Sequence, residues 1–590
     1  MPASPSAAAP VVTAATLRAR IDAALGRGEA DLVVADARVP DLLTGEIARG
    51  DVAVVGDTIV GVGGAYRARR RIEAGGRHLV PGFVDAHCHV ESSLIAPLEF
   101  DALVLRRGTT AAVWDPHEIA NVLGAEGLTY ALMGAERTAM DLRVALSSCV
   151  PATDLETSGA RLEAADLAPH LGHPAVAGLA ELMNFPGLLA GDPGLLAKLE
   201  MMAAGGGTGH VDGHAPLVGG TDLDAYLAAG VSTDHECTSA GEAREKLAKG
   251  ARVFVREGSV SKDLAALAAV IGPRTAARMA FCTDDRNPLD IAEGGHIDGL
   301  IRMAIRLGAE PVDCYRMASL GAADAFGWRA RGLVAPGQQA DMVLLDDWET
   351  VAVADVVAAG RVVDDELFAA RGEHPPVGLD SVHMPDVPPA AFAAPAAGPG
   401  GPVIGVRPGR IITDHLVMEA GYADGRRTAS VERGIAKVAV IERHGRTGGS
   451  AGDGGLPNVG IGFVHGFDLA RGAIASSVGH DSHNVTVVGM SDAEMALAVR
   501  RVRELSGGFV VVDGDRVVAE MALPIAGLMS LLPHAGVERA LRPLREAAVA
   551  LGCRLPEPFL QVGFLPLPVI PHLKITDRGL VDVDRFALVG

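Results

Sequence analysis

The sequence predicts an α/β protein: a TIM-type (β/α)8 barrel, a small all-β unit drawn from both of its flanks, and an additional C-terminal α+β domain. Three observations predict it. Between residues 81 and 329, short β-rich runs alternate with longer helical stretches, the pattern of βα units around a parallel sheet. Eight candidate strands fall in that interval, and a barrel of eight strands usually takes roughly 250 residues. A strand-like ADLVVADAR at residues 30–38 is echoed by ADMVLLDDW at 340–348, on the far side of the interval.

Taken in order, residues 1–28 are an Ala- and Pro-rich extension followed by a helix. Residues 29–80 contain ADLVVADARV, DVAVVG and TIVGVG, apolar runs cut by turn residues, and are grouped with 330–384 as the small β unit. The barrel strands are read as Phe83–Ala86, Thr109–Trp114, Arg143–Cys149, Val176–Ala180, His210–Gly213, Val231–Asp234, Arg252–Arg256 and Met279–Thr283. Residues 385–402, PDVPPAAFAAPAAGPGGP, read as a linker too rich in Pro, Ala and Gly to pack regularly. Residues 403–590 mix strands such as VAVIER and GGFVVVDGDRVV with helices over Asp492–Glu504 and Val537–Leu551.

The 590 residues carry Lys+Arg 52 against Asp+Glu 73, a formal charge of −21. With that balance and no local basic patch, nucleic acid is not expected as a partner. Charged residues at 21% and hydrophobic residues at 49% exclude wholesale disorder. Cys88, Cys149, Cys237, Cys282, Cys314 and Cys553 form no CxxC pair, which argues against a disulfide framework and fits a reducing compartment. The first fifteen residues lack a secretory pattern and no run approaches a membrane span, so a cytoplasmic protein without a membrane partner is expected. Gly61-Val62-Gly63 lacks the third glycine of a dinucleotide fingerprint, and neither a phosphate loop nor the cytidine-deaminase zinc signature occurs.

In such a barrel, chemistry sits where strands end. The first strand ends in DAHCHVESS, and alternation points His87 and His89 the same way, about 6.6 Å apart along the strand, with Cys88 opposite. Alone, this HxH is as consistent with packing or hydrogen bonding as with a metal. Other strand ends add Glu181, His214, His235 and Asp284. Six nitrogen and carboxylate donors at one mouth would suit two divalent ions with a bridging carboxylate. His210, four residues before His214, reads as structural. Asp115, His117 and Glu118 close the second strand as substrate contacts or partners of the ligands. For Asp115 a helix cap is the alternative, since DPHE puts Asp at an N-cap, Pro at N1 and Glu at N3. Asp285 is expected to point to the face opposite Asp284 and to orient Arg286 or a strand neighbour. Near the C-terminus, His480, Asp481 and His483 form a polar cluster: a candidate lid, a hydrogen-bonded loop, or a further metal site.

PGFVDAHCHVESS with GLVAPGQQADMVLL resembles the amidohydrolase superfamily of metal-dependent hydrolases, which implies a small β-sandwich built from both flanks of the barrel. DPHEIANVLG (115–124), LAELMNFPG (179–187), VDGHAP (211–216), STDHECT (232–238), FCTDDR (281–286), ASSVGHDSHN (475–484), LPIAGLMS (523–530) and PVIPHLKITDRGLVDV (568–583) are similar to the bacterial adenine deaminase family. That likeness runs from about residue 30 to the C-terminus. Many superfamily members bridge their metals with a carbamylated lysine at the fourth strand. Here Lys198, Lys246, Lys249 and Lys262 fall in predicted helices or loops, and the resemblance assigns the bridge to Glu181. It implies His87, His89, Glu181, His214, His235 and Asp284 as ligands of two divalent ions, Mn, Fe or Zn.

The implied reaction is hydrolytic deamination of adenine to hypoxanthine and ammonia, in purine salvage, by a metal-activated hydroxide. Asp284, Glu91 and His235 are the expected catalytic residues. Asp284 would carry the proton to the departing ammonia, and Glu91 would act as the acid near ring N1 unless it serves only to fix its loop. Other readings are deamination of another aminopurine, cyclic amide hydrolysis, or a non-catalytic barrel scaffold. A scaffold should have lost ligands, yet all six positions hold competent side chains. A homo-oligomer is expected.

Overall fold

Eight parallel strands line the centre of the molecule: β1 (Phe83–Cys88), β2 (Thr109–Trp114), β3 (Asp141–Leu146), β4 (Val176–Leu182), β5 (Val211–Gly213), β6 (Thr233–Asp234), β7 (Arg252–Arg256) and β8 (Met279–Cys282). The computed structural model describes residues 12–205, 209–448 and 455–589. β1 to β5 make one sheet in sequence order, and β6 to β8 make another. Two backbone seams join the sheets into a ring. Ser232 N donates to Val211 O at 3.1 Å, and across the other gap Asp284 N donates to His87 O at 3.0 Å while His89 N donates to Asp284 O at 3.3 Å.

The period of two decides what fills the ring. Val84 and Ala86 of β1 and Ala111 and Val113 of β2 pack with Ala145, Ala177, Ala180, Phe254, Ala280 and Cys282 in one cluster. Alternate residues such as Phe83, Trp114, Val253 and Val255 belong to the larger core shared with the helices. Small inward side chains let the strands close, and the polar residues collect at their C-terminal ends.

Before the barrel, strands Ala30–Pro40, Ile47–Val55 and Thr58–Gly64 pair antiparallel, and Ala68–Glu73 pairs parallel with the first. His78–Pro81 then pairs with Met342–Asp347, with Val80 opposite Val343, so chain from both flanks shares one eight-stranded sheet. Leu32 and Val34 are buried on one face, Val33 and Ala35 on the other. The N-terminal helix spans Ala14–Ala24 and is capped by the Thr13 hydroxyl; residues 1–11 of the expected extension lie outside the described residues.

The expected linker packs. Val387 and Phe392 are buried in an apolar cluster, the Phe392 carbonyl accepts from Lys437 Nζ at 2.9 Å, and residues 400–402 begin strand Gly400–Gly405. Proline and alanine did not prevent docking because two apolar side chains anchor the segment. The strand pairs with Asp414–Glu419 and Val459–His465 at one end of a second eight-stranded sheet. Helix Asp492–Glu504 covers this sheet with Met495, Val499 and Val502; Ser491 caps its start, and Arg501 and Arg503 place positive charge in its last turn.

Polar contacts seat the C-terminal region on the barrel. Thr157 donates to Asp577 from its backbone N at 2.9 Å and its hydroxyl at 2.7 Å, His534 meets Glu99 at 2.9 Å, and Arg545 meets Asp290 at 3.0 Å. The turn at residues 480–484 and the segment after helix Pro558–Gly563 thereby face the C-terminal ends of the strands. Among the described residues, no helix is long and apolar enough to cross a membrane.

Candidate active site

His87 and His89 stand at the end of β1 with their Nε2 atoms 3.2 Å apart. Their Nδ1 atoms are engaged elsewhere: His87 with Asp212 Oδ2 at 2.9 Å, His89 with the Asp115 carbonyl at 3.0 Å. Each Nδ1–H donates outward, which leaves both Nε2 lone pairs facing the same point. Two facing lone pairs repel unless a cation lies between them, so this pair fits a metal ion.

Glu181, near the end of β4, reaches two histidine pairs with its two oxygens. Oε1 lies 3.6 Å from His87 Nε2 and 3.4 Å from His89 Nε2. Oε2 lies 2.5 Å from His214 Nδ1 and 3.2 Å from His235 Nε2. Asp284 Oδ1 completes the first group at 3.1 Å from His89 Nε2 and 3.6 Å from His87 Nε2. All six side chains are buried. Burial alone would raise Glu181, but His214 and His235 outweigh it and hold the carboxyl well below its usual range. Against burial, Asp212 and Asp284 hold His87 well above the usual imidazole range. Such surroundings favour positive charge, whether of a proton or of a metal ion.

Asp284 has φ +53, in the left-handed region. That turn breaks the alternation of β8, and Asp285 faces the cavity instead of the opposite face. Its carboxylate accepts from the Ser92 hydroxyl, and burial followed by the adjacent Asp284 pushes it up to about 6. The role of orienting Arg286 falls to backbone carbonyls: Arg286 Nη1 donates to Glu257 O at 2.7 Å and Nε to Gly295 O at 3.0 Å.

Glu91 does not face the reaction cavity. It lies in the single turn Glu91–Ser93, where Oε2 accepts from Trp114 Nε1 at 2.6 Å and Oε1 from Ile119 N at 3.1 Å. It braces the start of the helix after β2. Asp115 is likewise internal: Oδ1 accepts from His117 N at 3.0 Å and Oδ2 from Glu181 N at 3.3 Å, tying β2 to β4. His117 and Glu118 do line the cavity, and His480 and Asp481 meet them there from the C-terminal turn. His483 sits behind Glu118, in contact with its Oε2. His210 lies against Phe326, ring centroids 4.3 Å apart, and is absent from the cavity wall.

The apolar wall of the cavity is Met183, Ile411, Phe564 and Leu567. Three of those four come from beyond residue 402, which no spacing argument could assign to the barrel mouth. Arg256 and Glu236 were also not anticipated. Arg256 ends β7, grips Glu236 through both terminal nitrogens, and donates to Asp284 Oδ2 at 3.1 Å. A charged residue closing the apolar run VFVR was the available signal.

The adenine deaminase C-terminal domain model matches residues 410–587, and the amidohydrolase family model matches residues 78–363. An adenine deaminase of Methylobacterium nodulans is 59% identical over 577 residues, covering 98% of this chain and 100% of that relative. Adenine deaminase of Cereibacter sphaeroides is 56% identical over 569 residues, 96% of this chain and 98% of its own. Adenine deaminase 1 of Agrobacterium fabrum is 55% identical over 573 residues, 97% of each. With a barrel of this form, a buried histidine and carboxylate cluster suited to divalent metal, and relatives alike over nearly the whole length, the chain belongs to the adenine deaminase family of the amidohydrolases.

Proposed function

We propose that this chain hydrolyses adenine to hypoxanthine and ammonia, as a step of purine salvage, with His87, His89, Glu181, His214, His235 and Asp284 holding two divalent ions. The observation that carries this reading is Glu181, whose two oxygens each address a separate histidine pair. The nitrogen and oxygen donors suit manganese, iron or zinc. A bound divalent ion would supply a water acidified towards a pKa of about 7.

The rest falls to the protein's own groups. Burial would raise Asp284, but His87 and His89 and then Arg256 hold it well below its usual range, so it starts ionised. It accepts the proton of the attacking water at Oδ1 and returns it to the departing amine. Asp285, on the cavity wall and raised to about 6, takes the role of ring acid first expected of Glu91. Met183, Ile411, Phe564 and Leu567 exclude bulk water from the purine.

The test is ammonia release by the metal-loaded enzyme on adenine, guanine, adenosine and dihydroorotate, with hypoxanthine followed as product. Adenine should turn over fastest. Faster release from adenosine or dihydroorotate would overturn the assignment.

A further inference from the structure

Away from the metal cluster, the motif PVIPHLKITDRGLVDV at 568–583 carries a buried cation that the chemistry of the barrel mouth does not use. Lys574 lies on the strand Leu573–Thr576 and is 0% exposed. Its Nζ donates to Ile411 O at 2.8 Å and to Phe564 O at 3.0 Å. Among the described residues it forms no ion pair, and burial pushes its ammonium down to about 7. An ammonium that gives up water without a counter-charge weakens a core unless its donors answer groups that need them. Phe564 supplies one such group, because it closes the helix Pro558–Gly563, where carbonyls lack helical partners and carry the negative end of the peptide dipoles.

Both carbonyls belong to residues whose side chains form the apolar wall of the cavity. Nearby bonds hold the flanking backbone: Ile575 N donates to Leu565 O at 3.1 Å, Thr413 Oγ1 to Leu573 O at 2.8 Å, and Gln561 Nε2 to Arg410 O at 3.2 Å. Among the described residues only Lys574 bonds to both wall residues. The Phe564 ring stacks on His480, with centroids 4.4 Å and planes 5° apart, so a shift of Phe564 also reaches that part of the cavity wall. Contact with a flat ring decays over fractions of an ångström, which makes affinity sensitive to where this wall stands.

We propose that Lys574 is a positioning residue: by clamping the Ile411 and Phe564 carbonyls it sets the width of the slot that grips the planar purine, and so acts on substrate affinity rather than on the chemical step. This role rests on adenine being the substrate and requires no contact between Lys574 and the purine.

The test is Lys574→Met in the full-length, metal-loaded enzyme. Methionine keeps an unbranched side chain of similar length and removes the donors. Metal content should match wild type and kcat should stay within about three-fold, while adenine KM and the inhibition constant of hypoxanthine both rise about 10-fold or more. Lys574→Gln, which restores an amide donor, should recover part of that loss. Unchanged KM and inhibition constant in a folded Lys574→Met, or a fall in kcat that outweighs the change in both, would overturn the role alone. No adenine turnover by wild type would overturn the substrate assignment and this role with it. Should neither variant fold, Ile411→Ala and Phe564→Leu decide: both constants should rise with metal content intact, and unchanged constants would show that the wall does not grip the purine, overturning the role.

Discussion

Each oxygen of Glu181 addresses a different histidine pair, and on the proposed reading this one carboxylate sets how many cations the barrel mouth binds. Glu181→Gln replaces one of those oxygens with a donor nitrogen. It should lower metal content and cut turnover by about 10²–10⁴-fold with the fold intact; unchanged metal content would contradict a bridging role. Asp212 acts one step back, by accepting the His87 ring proton. Asp212→Asn should weaken metal retention by about 10–100-fold in a chelator competition. Glu91 gives the opposite expectation, since it braces Trp114 and Ile119 outside the cavity. Glu91→Gln should turn over within several-fold of wild type, whereas Asp285→Asn should fall by orders of magnitude; the reverse pattern would restore Glu91 as the acid. Burial and then Glu118 push Glu91 up to about 7 from an ordinary value of 4.5. A carboxyl raised by folding contributes stability that is full below 4.5 and lost as pH rises through about 7. Glu91→Gln should flatten that decline in urea unfolding across this window.

At the scale of elements, the strand ends explain what was legible. His87, His89, Glu181, His214, His235 and Asp284 all fall at or within two residues of a strand terminus, so counting strands and reading the next polar residue reached them. The same rule failed where the backbone leaves strand geometry. Asp284 turns left-handed and carries Asp285 into the cavity, and Glu91 sits in a helical turn where alternation has no meaning. Arg256 was missed because its partners Glu236 and Asp284 lie on different strands, a relation set only by barrel closure. Closure also predicts a sensitive glycine. A Cβ on Gly213 would strike the Thr233 carbonyl across the β5–β6 seam, one residue before His214. Gly213→Ala should cost about 1–3 kcal/mol in denaturant unfolding and loosen metal retention; a fully stable variant would argue against so tight a seam.

For the whole molecule, the C-terminal region finishes the site that the barrel begins. Ile411, His480, Asp481, Phe564 and Leu567 all line the cavity, and none belongs to a βα unit. The sequence offered the motif around His480 but no distance to the barrel, because contacts such as Thr157 with Asp577 join residues far apart in the chain. A chain ending at residue 402 should therefore show no adenine turnover even when metal-loaded; turnover near that of the full chain would reduce the C-terminal region to an accessory. The account rests most heavily on the two-sided use of Glu181. Anomalous diffraction from Mn-loaded crystals tests it most directly. One peak should bond Glu181 Oε1 with His87 and His89, and a second should bond Oε2 with His214 and His235. A single peak at the mouth, or two that both miss Glu181, would contradict it.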